Sequence, residues 1–381
     1  MTVRVGIVCG GRTGEHEVSL RSAWGIYHAF GRARFEPLLI AIDPSGVWRV
    51  GSAEDLLRNP DDPARIHIDS SAEPVIPIGD GEGVVLAGRD SRREVARVDL
   101  IFPIVHGTDG EDGALQGLLR LLDVPFVGAD VLGSAVAMDK GVMKRLLAQA
   151  GLPTARWREL REPPGNSESA ALFARLEREW GAPLFVKPAA LGSSVGVNRA
   201  ADAAEFAAAL AEAFRFDRKV LVEEAMPGRE IECSVLGNLP PSDWPPEASL
   251  SGEVIPKRGF YSYAAKYLDD DGADLAVPAE LDEATTAQVR EMAVRVFQAL
   301  EADGMARVDF FLKPDGGLVV NEINTLPGFT PISMFPKLWE ATGLPYPELL
   351  ERLADLALER HRHRRRLQRH VELPTPPSPE R

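Results

Sequence analysis

The opening of the chain constrains its fold more than any other feature: residues 3–9 form a near-continuous apolar run that stops at Gly10-Gly11, and a helical pattern follows over residues 18–30. A strand, a glycine turn and a helix in that order begin a parallel unit, because the helix carries the chain back to the edge where the next strand starts. The pattern recurs. Further strands are predicted over residues 37–42, 98–105 and 124–127, with a helix over 113–122. Such alternation implies a parallel sheet covered by helices. A helix over 139–150, stopped by Gly151 and Pro153, closes this first unit.

Beyond it, residues 162–169 are polar and read as a loop. Strands over 184–187 and 219–224 flank a helix over 201–214, and residues 230–236 begin a run of β segments. Residues 239–247 hold four prolines and Trp244, which suits a surface insertion, and residues 257–278 lack periodicity and read as a lid or a disordered segment. Helices are predicted over 281–301 and 346–368, the second ending in a basic cluster at 360–370 before a proline-rich tail. At 381 residues the chain calls for two or three domains. No apolar run nears the roughly 20 residues that span a bilayer, and no basic-then-apolar leader opens the sequence, so a cytoplasmic location is expected. Cys9 and Cys233 each sit in a strand-like run, which fits reduced, packed cysteines better than a disulfide framework, and two cysteines exclude a metal site built on sulfur. The net charge of −14 argues against nucleic-acid binding.

Chemistry is most legible in residues 306–324, where two β-like runs flank Lys313-Pro314-Asp315-Gly316-Gly317, and Asp-Gly marks a tight hairpin. With Asp315 and Gly316 as a two-residue loop, Asp309 faces Glu322 and Arg307 faces Asn324, all four on one face. The other face then gathers Val308, Phe310, Leu312, Val319 and Ile323, with Asn321 as the exception. Two opposed carboxylates repel unless a cation sits between them. The oxygens of Asp309, Glu322 and Asn324 suit Mg²⁺, which fills its shell with water and phosphate and so implies a nucleotide. An exposed hairpin whose acids simply pair with Arg307 and Lys313 is the alternative.

Two further segments bear on phosphates. Leu191-Gly192-Ser193-Ser194-Val195-Gly196 follows the strand that ends at Lys187, and the amides of such a loop cradle anions, though an ordinary surface turn fits as well. It is not a Walker A loop, since no Gly-Lys-Ser/Thr closes it. Lys140 opens a helix, where the dipole disfavours a cation, so an external reason for it is expected. Glu223, Glu224 and Glu230 cluster at a strand junction, either as plain surface charges or as readers of an adenine amino group and ribose hydroxyls.

Taken in order, Gly10-Gly11 with Glu15-His16-Glu17-Val18-Ser19, His106-Gly107 with Gly110-Glu111-Asp112-Gly113, Met138-Asp139-Lys140, the Lys187 to Gly196 loop, Ala265-Lys266-Tyr267, Arg307-Val308-Asp309, Asn321-Glu322-Ile323-Asn324 and Pro327-Gly328 resemble the D-alanine–D-alanine ligases of the ATP-grasp superfamily. The resemblance runs over residues 3–355. It implies a three-domain ATP-grasp fold: an N-terminal Rossmann-like parallel-sheet domain at 1–137, a small central subdomain at 138–227 and a C-terminal subdomain at 228–360. A flexible tail follows at 361–381, and ATP lies between the central and C-terminal parts. It implies ligation of two D-alanines through a D-alanyl phosphate, with ATP and two Mg²⁺ ions, for which Mn²⁺ can substitute, and a homodimeric assembly.

By the same resemblance Glu15 binds the ammonium of the first D-alanine, and Ser193 with Tyr267 latches the glycine loop to the 257–278 loop. Lys140, Lys187, Ser194 and Lys266 hold ATP phosphates, and Glu223 and Glu230 contact adenine and ribose. Asp309, Glu322 and Asn324 hold the metal ions, and Arg307 stabilises charge at the reacting carboxyl. Gly328 offers a backbone N–H to the oxyanion, Ser333 binds the second D-alanine's carboxylate, and His106 lies on the acceptor side. D-lactate or D-serine as acceptor is the competing reading, and Tyr267 argues against the lactate version. A non-catalytic nucleotide binder on the same fold is opposed by the intact set Asp309, Glu322, Asn324, Lys187 and Arg307. An NAD enzyme is set aside because residues 10–14 lack the G-x-G-x-x-G spacing.

Overall fold

The computed structural model describes residues 2–257, 273–330 and 333–368. Its first sheet is built around strand Val3–Gly10, which pairs in parallel with Phe35–Ile42 on one side and Leu100–Pro103 on the other. Side-chain alternation sends Val5, Ile7 and Cys9 into one core and Val8 into another, so the strand is buried on both faces and reads as a continuous apolar run. Gly10 ends it at φ +85°, where a Cβ would lie 2.2 Å from the Ile42 carbonyl oxygen, and helix His16–Ala29 follows. The parallel part stops at three strands. Beyond Phe35–Ile42 the sheet continues antiparallel through Trp48–Gly51, Pro74–Gly79, Val84–Gly88 and Glu94–Val98, giving a mixed seven-stranded sheet.

The expected strand at 124–127 does not form. Phe126 makes a single parallel bridge to Ile101, because Pro125 has no N–H to donate and Gly128 turns the chain at φ +89°. The predicted strand over 98–105 is likewise interrupted after Val98 and covers only Leu100–Pro103. The loop expected at 162–169 is shorter than that: helix Asn166–Trp180 starts inside it, with Glu168 Oε2 accepting from the Gly165 N–H at 3.0 Å.

A second sheet of four antiparallel strands runs in the order Trp157–Leu160, Val220–Glu224, Leu184–Pro188, Asn198–Ala200. Helices Asn166–Trp180 and Ala203–Phe216 cover one face, burying Phe173, Leu176, Phe206 and Leu210 against Val186 and Val222. The third sheet has five antiparallel strands, Ala273–Ala276, Glu247–Pro256, Arg229–Gly237, Gly304–Leu312 and Leu318–Asn324. Helix Glu283–Ala299, capped by Asp282 accepting from Thr285 N, lays Val289, Val296 and Phe297 on it, each buried side chain contributing about 1.5–3 kcal/mol. Helix Lys140–Gln149 joins this core through Met143 and Leu147.

The last helix, Tyr346–Arg365, returns to the first sheet. Leu349, Leu350 and Leu353 enter the core around Leu20, Ile26 and Phe102, and the half-buried Arg360 guanidinium donates to the carbonyls of Phe126 and Gly128. These contacts bring the ends of the three sheets around one cleft, lined by Glu111, Met138, Lys140, Gly192, Glu322 and Asn324.

Candidate active site

The hairpin of strands Gly304–Leu312 and Leu318–Asn324 reaches the expected pairing by an unexpected route. Asp309 faces Glu322 and Arg307 faces Asn324. The turn, however, has three loop residues: Lys313 N bonds Gly317 O at 2.8 Å, Gly316 N bonds Lys313 O at 2.9 Å, and Gly316 adopts φ +82°. That length shifts the register by one, so Phe310 faces Val320 and Leu312 faces Leu318. A bulge between Asp309 and Phe310, with Asn321 as the extra residue on the facing strand, shifts it back. The two offsets cancel at the polar end. They also correct the expected face: Leu318 and Val320 join Val308, Phe310, Leu312 and Ile323 in one cluster, and Val319, though buried, lies outside it. Asn321, the odd polar residue in the sequence pattern, is the bulge.

The four polar side chains share one face, as the alternation requires. Arg307 grips Asp309 through two bonds of 2.7 Å, and Asn324 Nδ2 donates to Asp309 Oδ2 at 3.0 Å. A third carboxylate comes from the neighbouring strand, where Glu232 is the register partner of Asp309 and lies 3.0 Å from Arg307 Nε. Burial works against the Arg307 charge, but Asp309 and then Glu232 outweigh it and raise its pKa. The alternative of acids paired only within the hairpin fits in one half: Arg307 does pair with Asp309, whereas Lys313 pairs with Asp315 at 3.0 Å and stays away from this face.

Lys140 supplies the external reason its position demanded. Its ammonium donates to the Leu191 carbonyl at 2.8 Å and lies 3.4 Å from Glu322 Oε2, tying the glycine loop to the hairpin. Its backbone N–H also bonds Ala189 O at 2.9 Å. On the second sheet Lys187 Nζ sits 2.7 Å from Glu223 Oε2, and Lys144 Nζ sits 3.1 Å from Glu223 Oε1. Burial raises the pKa of a carboxyl, yet Lys144 and Lys187 together hold that of Glu223 low. Burial lowers that of Lys144. Lys219 is paired with Asp139, the N-cap of the helix that carries Lys140 and Lys144.

Within the glycine loop Ser193 and Ser194 both adopt left-handed backbone, at φ +51° and +58°, a conformation that costs energy in non-glycine residues and clusters at functional sites. Ser193 Oγ donates to Glu15 Oε1. Glu15 is buried at the start of helix His16–Ala29, packed against Gly107 and Gly192. His106 is buried beside it, with Nδ1 3.2 Å from the Leu326 carbonyl, which requires the proton on Nδ1, and Nε2 3.3 Å from Ser22 Oγ. Burial opposes protonation, but Glu111 at 3.6 Å, Glu15 and the Leu326 carbonyl outweigh it and raise the pKa above the usual 6.5. Ser333 occupies the N-cap position of helix Met334–Thr342 with no side-chain bond to the helix N–H groups, accepts from Thr330 N at 3.0 Å, and lies where a Cβ on Gly328 would come within 2.9 Å of its hydroxyl.

Glu15, Ser193, His106, Lys140, Glu322 and Asn324 therefore meet around one cleft, with Arg307 and Asp309 on the same hairpin face. Glu223 faces two lysines, and Glu230 sits on strand Arg229–Gly237 opposite Val254 and Phe311. Lys266 and Tyr267 lie outside the described residues. Lys144 and Glu232 are the residues that sequence reading missed. The first was legible as the i, i+4 neighbour of Lys140, and the second as the residue two beyond Glu230 on the same strand.

A divalent cation can be tested against this donor set. Asp309, Glu322 and the amide of Asn324 are hard oxygen donors on one face, which fits Mg²⁺ better than a soft metal. Among the described residues no group of three or more His, Cys, Asp or Glu side chains forms a metal cage by itself. The fit is therefore to an ion that takes its remaining oxygens from water and phosphate.

The chain matches the sequence family described as D-ala D-ala ligase N-terminus over residues 4–129 and the one described as D-ala D-ala ligase C-terminus over residues 146–355. D-alanine–D-alanine ligase of Shouchella clausii (strain KSM-K16) is 49% identical over 368 residues, 97% of this chain and 98% of that protein. D-alanine–D-alanine ligase A of Escherichia coli (strain K12) is 49% identical over 359 residues, 94% of this chain and 96% of that protein. Among solved structures, the D-alanine-D-alanine ligase from Coxiella burnetii superposes with a TM-score of 0.82 at 38% identity, covering 96% of each chain. The VanG D-Ala:D-Ser ligase from Enterococcus faecalis superposes at 0.79 and 32% identity, covering 94% of this chain and all of that one. Among the described residues no helix is long and apolar enough to cross a membrane.

Proposed function

Because the chain belongs to the D-alanine–D-alanine ligase family, an ATP-grasp enzyme family that joins two D-alanines at the expense of ATP for peptidoglycan synthesis, we propose a residue-level account of how this cleft does so. The observation that carries it is the cancelled register: hairpin length and bulge together keep Asp309, Glu322, Arg307 and Asn324 on one face, beside a glycine loop tethered by Lys140. A purely structural sheet has no need of three carboxylates, Glu232, Asp309 and Glu322, on one face.

In this account Glu15 receives the ammonium of the first D-alanine, leaving its carboxylate beside the γ-phosphate. A carboxylate is a poor acylating agent, so its oxygen attacks γ-phosphorus and ADP leaves, forming D-alanyl phosphate. Lys140, Lys187, Lys266 and the amides around Ser194 hold the phosphates, and Glu230 with the junction at Glu223 faces the nucleoside. Magnesium, held by Asp309, Glu322 and the Asn324 amide oxygen, with manganese as a substitute, neutralises phosphate charge when bound. Ser333 and the N-terminus of helix Met334–Thr342 receive the second D-alanine's carboxylate. His106 borders the acceptor side. The neutral amine attacks the acyl carbon, the oxyanion forms against Arg307 and the Gly328 N–H, and phosphate departs. Ser193 and Tyr267 latch the loops that keep water from the acyl phosphate.

The division into units at residues 1–137, 138–227 and 228–360, and a homodimeric assembly, belong to the same proposal. Sedimentation equilibrium should return twice the 41.4 kDa chain mass, and a mass of one chain contradicts the dimer. The reaction is tested by mass spectrometry of products after incubation with ATP, Mg²⁺ and a panel of D-amino and D-hydroxy acids. D-alanyl-D-alanine should dominate. A dominant D-alanyl-D-serine or D-alanyl-D-lactate product would move the assignment to the D-serine or D-lactate reading, and the superposition with the VanG D-Ala:D-Ser ligase makes that arm worth running.

A further inference from the structure

Lys144 is a lysine with no exposed surface, an arrangement that desolvation makes costly unless something requires it. It stands one helical turn after Lys140 on helix Lys140–Gln149, between Met143 and Leu147 in chain order, both of which lie in the core of the third sheet. Across from it, Glu223 is the next-to-last residue of strand Val220–Glu224 and is 5% exposed. One carboxylate oxygen faces Lys144 and the other faces Lys187.

We infer that Lys144 is a positioning residue for nucleotide binding: it keeps Glu223 neutralised so that Lys187 can leave that carboxylate and turn to an ATP phosphate. With Lys187 as the sole partner of Glu223, every nucleotide bound would strand a buried carboxylate without a counter-charge, a severe penalty. Lys144 removes that penalty because it is held in place: its helix is packed into the third sheet through Met143 and Leu147, and its side chain has no exposed surface. Lys187 is placed to make the exchange, since strands Leu184–Pro188 and Val220–Glu224 are directly paired, with Phe185 opposite Glu223 and Lys187 opposite Leu221. Each lysine takes one oxygen, so one ion pair can break while the other holds.

The inference rests on the reading of Lys187 as a phosphate ligand, and the experiment separates the two. ATP and adenosine are titrated calorimetrically into the full-length wild type, Lys144→Met, Glu223→Gln, the double variant and Lys187→Met, each checked by a melting curve. Lys144→Met should weaken ATP about tenfold, an ordinary coupling within one charge network, and leave adenosine within about twofold. In the Glu223→Gln background the same substitution should change ATP affinity less than about twofold. Lys144→Gln, which keeps a donor for Glu223 but no charge, should repeat the Lys144→Met result and serves if that variant does not fold. Equal losses for ATP and adenosine, equal losses in both backgrounds, or unchanged ATP affinity would overturn the inference. If Lys187→Met binds ATP as the wild type does, the underlying phosphate reading fails; if only Lys187→Met is impaired, the role given to Lys144 fails alone.

Discussion

Replacing Glu322 with Gln separates a hairpin built for chemistry from one built for stability. Glu322 lies 3.4 Å from Lys140, which at an effective dielectric of about 20 corresponds to about 5 kcal/mol of bare attraction before desolvation is subtracted. Partly exposed pairs of this kind retain about 1 kcal/mol or less. The surrounding face opposes even that: Glu232, Asp309 and Glu322 set three negative charges against the two positive charges of Arg307 and Lys140. Glu322→Gln removes the surplus, and Lys140 keeps its bond to the Leu191 carbonyl. Stability should therefore change by no more than about 1 kcal/mol in urea denaturation. Activity should not follow. Losing one of the carboxylates that would hold the cation facing the phosphates forfeits electrostatic stabilisation worth about 3–4 kcal/mol, so kcat for D-alanine-dependent ADP release should fall about 10²- to 10³-fold. A variant that turns over within about threefold of wild type, or whose lost activity is matched by a lost fold, would refute this assignment.

Deleting Asn321 should close the bulge into regular alternation, with Phe310 still opposite Val320 and Asp309 still opposite Glu322 on the polar face, so ADP release should survive; its abolition in a variant that still folds would contradict the assignment of Asn321 as the extra residue. Arg360→Met should cost about 2–4 kcal/mol, measured by chemical denaturation, because it unties the last helix from the carbonyls of Phe126 and Gly128. His106 has a raised folded pKa, so its protonation contributes stability that is fully present below about pH 6.5 and is lost as pH rises through the higher folded value. The stability gap between wild type and His106→Gln should accordingly be widest near pH 6 and shrink toward pH 9, and a gap that grows with pH would contradict the Glu111 and Glu15 contribution.

Much of this site was legible because its signals are local. Asp315-Gly316 announced a hairpin, alternation then placed four polar side chains on one face, and a helix-opening lysine pointed to a partner beyond its helix. The turn was misjudged because Asp-Gly fits both a two-residue loop and the left-handed end of a three-residue one, and only backbone pairing separates them. Asn321 carried the correcting information, as the one polar residue on an otherwise apolar face. In the first sheet the parallel strands around Val3–Gly10 were readable from continuous apolar runs. The antiparallel strands between Trp48 and Val98 were not, being short, partly exposed and punctuated by Pro74, Pro77 and several glycines. The junction of Glu223 with Lys144 and Lys187 joins two strands of one sheet to a helix packed on another, and no sequence spacing encodes that meeting.

The central claim is that the first substrate's carboxylate oxygen bonds to phosphorus before the peptide bond forms. D-Alanine labelled with ¹⁸O in both carboxyl oxygens, incubated with ATP and Mg²⁺, tests it through the mass of the released inorganic phosphate. The account predicts one ¹⁸O transferred to phosphate for every dipeptide made. Unlabelled phosphate, with dipeptide still formed, would contradict it.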